Sequence, residues 1–213
     1  MSYSSNRILL AGAALAVTAM VQAPAHATGG MAMTWRVAEL GKSSIAAQAS
    51  AWNALPRNVV VVGCGNPNAG GCNAYKGDTP ITERRRIMCF VPGKSAEPAG
   101  YAAVFAGYPT GGGDPNWRSY YGWSGGQIGL SNYYLGSSLT SKAVADKNCQ
   151  TDLRDPNARM IEHHDNNVNG WSLGGTVHPG SQVKHELMIN CEETSKHKYW
   201  ASINGQPANP WNP

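Results

Sequence analysis

Past residue 27 the 213-residue chain has no apolar run long enough to cross a bilayer as a helix, which excludes that kind of membrane span. Phenylalanine is nearly missing, with two against seven tryptophans and nine tyrosines. Trp and Tyr join an apolar body to a polar tip, and suit half-exposed surfaces and interfaces better than a dry core. A concentrated basic face is also lacking. The formal charge is only +4, and the one basic run, Arg84-Arg85-Arg86, reads as a solvated strand edge. Nucleic acid is therefore not an expected partner. No stretch of distinctive composition divides the chain into domains.

The first residues carry an export signal. Arg7 gives a positive start, Ile8 to Val21 is uncharged and mostly apolar, and Ala25-His26-Ala27 is a small-residue cleavage site. Cleavage after Ala27 predicts a signal peptide over 1–27 and a single globular domain over 28–213, secreted or held in a bacterial periplasm. No cysteine near the cleavage point could carry a lipid. Five cysteines in an exported chain predict disulfides with one thiol left over. Cys64 and Cys72 bracket a turn-rich loop and are expected to pair. Cys89 alternates with Ile87 and Val91 and is expected as a buried free thiol, leaving Cys149 to join Cys191.

Periodicity and turn residues predict an α+β fold. The expectation is a single β-rich, disulfide-containing domain with mainly antiparallel short strands and about two helices. A helix is predicted from Ile45 to Leu55, capped by Ser43 or Ser44 and stopped by Pro56. A second runs from Thr140 to Asn148, opened by Ser138 or Thr140. Strands are predicted over Ala32–Val37, Asn58–Val62, Arg85–Val91, Ala102–Ala106, Met160–His164, Val183–Ile189 and Tyr199–Ile203.

Chemistry-bearing residues concentrate between Arg159 and Trp171. Glu162-His163-His164-Asp165 offers imidazole and carboxylate, the ligands of a catalytic zinc site, but the spacing matches no known metal motif. No metal or other cofactor is expected. Gly170-Trp-Ser172-Leu-Gly174 and Gly122-Trp-Ser124-Gly-Gly126 both satisfy the Gly-x-Ser-x-Gly pattern, which lifts a nucleophilic serine only on a strand–turn–helix. The flanks of neither serine predict that arrangement. Two Gly-Lys-Ser tripeptides, at Gly41 and Gly93, lack the earlier glycine of a phosphate loop. Near the end, Trp200…Gly205-Gln206-Pro207-Ala208-Asn209 resembles the Trp…Gly-Gln-Pro-Asn stretch of C-type-lectin-like domains. Ala208 interrupts the calcium-binding sequence and no cysteine follows, so no residue role is carried over.

The densest aromatic patch, Trp117, Arg118, Tyr120, Tyr121 and Trp123, lies among glycines. Sugar rings rest their C–H faces on such rings, and loops on a rigid scaffold are where binding sits. The plain alternative is an aromatic sheet edge packed inward. The expected function is a non-enzymatic exported binding or surface protein, with a glycan or cell-surface ligand held by that loop. Two competing expectations are a small hydrolase using the Glu162–Asp165 cluster or a Gly-x-Ser-x-Gly turn, and a structural subunit of an extracellular assembly. The sequence does not specify an oligomeric state.

Overall fold

In the computed structural model, the described residues are 30–38, 46–64, 72–105, 122–165, 172–187 and 197–213. The expected leader over 1–27, Trp117 to Tyr121 and Cys191 lie outside them, as do Ser43 and Ser44.

In chain order the strands are β1 (Met31–Ala32), β2 (Thr34–Val37), β3 (Val59–Gly63), β4 (Thr79–Pro80), β5 (Arg84–Val91), β6 (Gly122–Leu135), β7 (Arg159–Met160), β8 (Ser172–Val177) and β9 (Tyr199–Trp200). The helices are α1 (Ala46–Ala54) and α2 (Lys142–Leu153). The fold is mostly β. Six strands run in the order β6-β8-β3-β2-β9-β5, and β5 pairs again with β6 to close a barrel. Most pairings are antiparallel, as expected, but β6–β8 and β5–β9 are parallel. β7 lies along β5 beside β9, and β1 pairs with β4 as a separate ribbon.

Strand alternation divides the core into three layers. Trp35 and Val37, Val60 and Val62, Met88 and Phe90, Ile128 and Leu130, Leu173 and Tyr199 come from all six barrel strands and fill the interior. The opposite face of β5 and β9, with Ile87, Cys89, Val91 and Trp200, is covered by Ala145, Cys149 and Leu153 of α2. Their four-residue spacing puts those three on one helix face. Val59 and Val61 on the outer face of β3 meet Trp52, Leu55, Tyr101, Val104 and Phe105.

Two disulfides form among the described residues. Cys64 joins Cys72, with Cα atoms 4.7 Å apart. Cys89 joins Cys149 at a Cα separation of 5.6 Å, pinning α2 onto β5. This corrects the expected Cys149–Cys191 pair and the expected free Cys89. Cys89 does share a buried face with Ile87 and Val91, and the residue on the helix above that face is a second cysteine. No helix among the described residues is long and apolar enough to cross a membrane.

Two expected strands are 3-10 turns, Ala102–Phe105 and Lys184–Leu187. In each, apolar neighbours go to one packed side: Val104 and Phe105 are buried in the first, Leu187 in the second. The cap of α2 is Ser141, whose hydroxyl accepts from Val144 N–H, rather than Ser138 or Thr140. That helix also extends past Asn148 to Leu153, because Leu153 still has apolar surface to bury. Gly129 makes room for it: a Cβ there would lie 2.6 Å from Leu153 Cδ2.

Candidate functional site

The segment from Arg159 to Asp165 enters the site along the barrel wall. β7 pairs with Phe90 and Cys89, and Ile161 N–H then donates to Met88 O at 2.8 Å. Next the chain runs beside the C-terminal segment. His163 N–H donates to Ser202 O at 2.9 Å and Ser202 N–H to Ile161 O at 3.0 Å. A tight turn follows, closed by Asp165 N–H on Glu162 O at 3.0 Å.

In this turn the four clustered polar side chains diverge. The Glu162 carboxylate accepts from the His164 ring (Nδ1, 2.9 Å), from His164 N–H (3.1 Å) and from Asn204 N–H (2.7 Å). His163 turns inward and lies edge-on to Trp35, ring centroids 6.1 Å apart. Burial, then the neighbouring His164, pushes its imidazole below the usual range and keeps it neutral. Asp165 forms a bidentate pair with Arg159, Nη1 to Oδ2 at 2.9 Å and Nη2 to Oδ1, and also accepts Glu162 N–H at 2.7 Å. Burial raises its carboxyl above the ordinary range against the pull of Arg159 and that N–H. These groups do not converge on a point. Among the described residues, no three His, Cys, Asp or Glu side chains gather to hold a metal ion.

Between this turn and the C-terminal loop lies a groove of about 780 Å³, within the range of roughly 300–1,000 Å³ of ligand pockets. Lys142, Arg159, Glu162 and Asp165 form one wall, and residues Ser202 to Pro207 with Asn209, Trp211 and Asn212 form the other. The loop is held by Asn209. Its amide oxygen accepts Ile203 N–H at 2.8 Å, and its amide nitrogen donates to Ile203 O and Gln206 O, each at 2.9 Å. Glu162 fixes the same loop from across the groove through Asn204 N–H.

The groove therefore contains two kinds of side chain. Glu162, Asp165, Arg159, Ser202 and Asn209 form its frame, all engaged in the bonds just described or, for Ser202, with Ile161 O at 2.9 Å. The side-chain amides of Asn204, Gln206 and Asn212 make no hydrogen bond with another described residue, and Asn204 and Asn212 are exposed. Trp211 is half-buried, packed on the α2 layer, and still lines the groove. Nothing in composition or periodicity marks these four. The only trace was the Trp200-to-Asn209 resemblance, which overlaps the loop without including Trp211.

The other expected sites lie elsewhere. Trp123 sits at the edge of the α1 layer. Its ring is 5.1 Å from Tyr101, and its indole N–H donates to Ser95 O at 2.8 Å. Its loop companions Trp117, Arg118, Tyr120 and Tyr121 are outside the described residues. Ser124 and Ser172 both lie within strands, β6 and β8, which corrects the nucleophile-turn alternative: neither stands on a strand–turn–helix. Ser124 Oγ donates to Gly174 O at 2.7 Å. Gly174 of that motif serves packing, since a Cβ there would fall 2.0 Å from the Tyr101 hydroxyl. One His–Asp pair does form, His178 Nε2 to Asp155 Oδ2 at 3.2 Å, but Gly180 N–H donates to the other ring nitrogen at 3.0 Å. That occupied nitrogen is where a general base would accept a proton.

No family model, curated protein or solved structure matches the chain.

Proposed function

We propose that this is an exported, non-enzymatic binding protein that recognises a glycan, with the groove between the Arg159–Asp165 turn and the C-terminal loop as its site. One observation carries the reading: a framed groove whose acids and cations are already engaged, lined by three uncommitted amides and an indole. An amide both donates and accepts, as a sugar hydroxyl does, and an indole face accepts the C–H face of a pyranose. The bonds that hold Asn209 and Glu162 in place keep the loop ordered before a ligand arrives, which lowers the entropic cost of binding. Export rests on the leader over 1–27 and is supported by two disulfides, which persist in oxidising compartments.

The test is a glycan array probed with the mature protein, followed by mass analysis of the bound sugar after prolonged incubation. Retention of at least one glycan, recovered uncleaved, is the expected result. Cleavage would instead make the protein a hydrolase, and an array without binding would remove the glycan reading.

A further inference from the structure

Charge pairing within the groove limits the kind of glycan it takes, and this step rests on the binding reading above. Each charged side chain that lines the groove among the described residues has an internal ion-pair or hydrogen-bond partner. Arg159 is bidentate on Asp165, whose side chain is only 6 % exposed. Lys142 Nζ lies 2.7 Å from Asp146, one turn along the same helix. Asp146 is itself fixed, because its other oxygen accepts Met160 N–H at 2.9 Å. Glu162 is shared among the His164 ring and two backbone N–H groups.

An anionic sugar would need a cation. Among the described lining residues Arg159 is bidentate on Asp165, and Lys142, 45 % exposed, is shared with Asp146 in a solvent-screened pair. Taking Arg159 would leave Asp165 charged, nearly buried and short of its partner, an arrangement that costs more than a new surface ion pair returns. The wall has acids enough to repel a carboxylate or sulfate brought close to Glu162. A cationic sugar would have to compete with the His164 ring and two backbone N–H groups on Glu162, and with Arg159 on Asp165. Among the described lining residues, the side chains left uncommitted are neutral: Asn204, Gln206, Asn212 and the Trp211 ring.

We infer that the groove selects an uncharged polyhydroxylated ligand, a neutral hexose or N-acetylhexosamine unit of a glycan. One face of the sugar lies on Trp211, and its hydroxyls exchange hydrogen bonds with the Asn204, Gln206 and Asn212 amides. Selection against charged sugars comes chiefly from the pair Arg159–Asp165, with the more exposed Lys142–Asp146 pair secondary, so specificity is set by residues that do not themselves hold the sugar.

Calorimetric titration tests this with two probe sets, neutral hexose and N-acetylhexosamine oligosaccharides, and uronate- or sulfate-bearing oligosaccharides of matched length. Three proteins are compared: the parent, Trp211→Ala, and Asn204→Ala/Asn212→Ala, whose substitutions are both at exposed positions. Neutral probes should bind the parent with an affinity unchanged between about 50 and 500 mM salt, the range over which charge pairing would be screened. Loss of the indole should weaken binding by about tenfold or more, as removal of an aromatic anchor does. The amide variant should weaken it by about fivefold or more while melting as the parent does, each lost hydrogen bond being modest. Preference for the anionic set, or neutral binding that neither variant changes, would overturn this inference while leaving a glycan-binding protein. Binding of neither set would sink the functional reading itself, and the inference with it.

Discussion

Asp152 is 8 % exposed and places its carboxylate between α2 and β6. It accepts from Asn132 N–H and the Asn132 amide, each at 2.8 Å, and from the Tyr134 hydroxyl at 2.9 Å. Those bonds cap the edge of β6 where β8 no longer covers it. Burial, and then the Asp152 carboxylate, push the Tyr134 phenol up to about 12. Asp152→Asn should bring that titration back toward 10, read by tyrosinate absorbance during an alkaline titration. The sign for stability follows from the raised value. The folded state holds the Tyr134 proton more tightly, so this contribution is whole below pH 10 and is lost as pH rises to about 12. His163 works in the opposite sense. Burial lowers its folded-state value below 6.5, so its contribution is present above pH 6.5 and declines as the pH falls through the lowered value. Melting temperatures followed from about pH 7.5 down to 5.5 should fall, and His163→Phe should flatten that slope. An equal slope in the variant would assign the acid loss to other groups.

Elements were legible where their own residues carried the pattern. α1, β3 and β5 fall within a residue or two of expectation, because an alanine-rich stretch ended by proline and two runs of β-branched or alternating apolar residues state their structure locally. β6 and β8 were not legible. β6 is the longest strand among the described residues, 14 residues, yet it begins Gly122-Trp-Ser-Gly-Gly-Gln-Ile-Gly, which reads as loop. What makes it a strand is the side chains brought to it from elsewhere, Leu153 on Gly129 and the neighbouring β5 and β8. The same holds for Gly174 of β8, on which Tyr101 lies. Gly174→Ala should therefore cost about 1–3 kcal/mol through overpacking. In a double-mutant cycle with Tyr101→Ala the two costs should be strongly non-additive in denaturant melts. The candidate groove was hidden for a related reason. Its uncommitted amides are ordinary loop residues until Glu162, some forty residues earlier in the chain, fixes Asn204 opposite.

At the scale of the molecule, the barrel closes through its shortest strand. β9 pairs with β2 at two positions and with β5 at one, Ile87 opposite Trp200. So few ladder bonds make this the weakest seam of the ring, and side chains reinforce it. The Tyr199 hydroxyl donates to Glu186 Oε2 at 3.0 Å, and Glu186 Oε1 lies 3.6 Å from Arg86 Nε on β5. Arg86 Nη1 continues to Ser131 O on β6 at 2.8 Å, with its guanidinium under the Tyr133 ring. Three strands, β9, β5 and β6, are thus tied through one carboxylate that is 8 % exposed. Burial and the nearby Glu186 raise the Tyr199 phenol, which therefore remains a donor across the working pH range. Glu186→Ala should cost about 3–5 kcal/mol, because it strips the half-buried Arg86 of its carboxylate and the buried Tyr199 hydroxyl of its acceptor. Removing both charges, as Arg86→Met/Glu186→Leu, should cost clearly less than the single change, because no lone buried charge remains. Hydrogen exchange adds the location: β9 amides should lose protection first in Glu186→Ala, ahead of β3 and β8. If single and double variants melt together and β9 exchanges as in the parent, the seam is closed by its backbone pairs and the buried Trp200 ring alone.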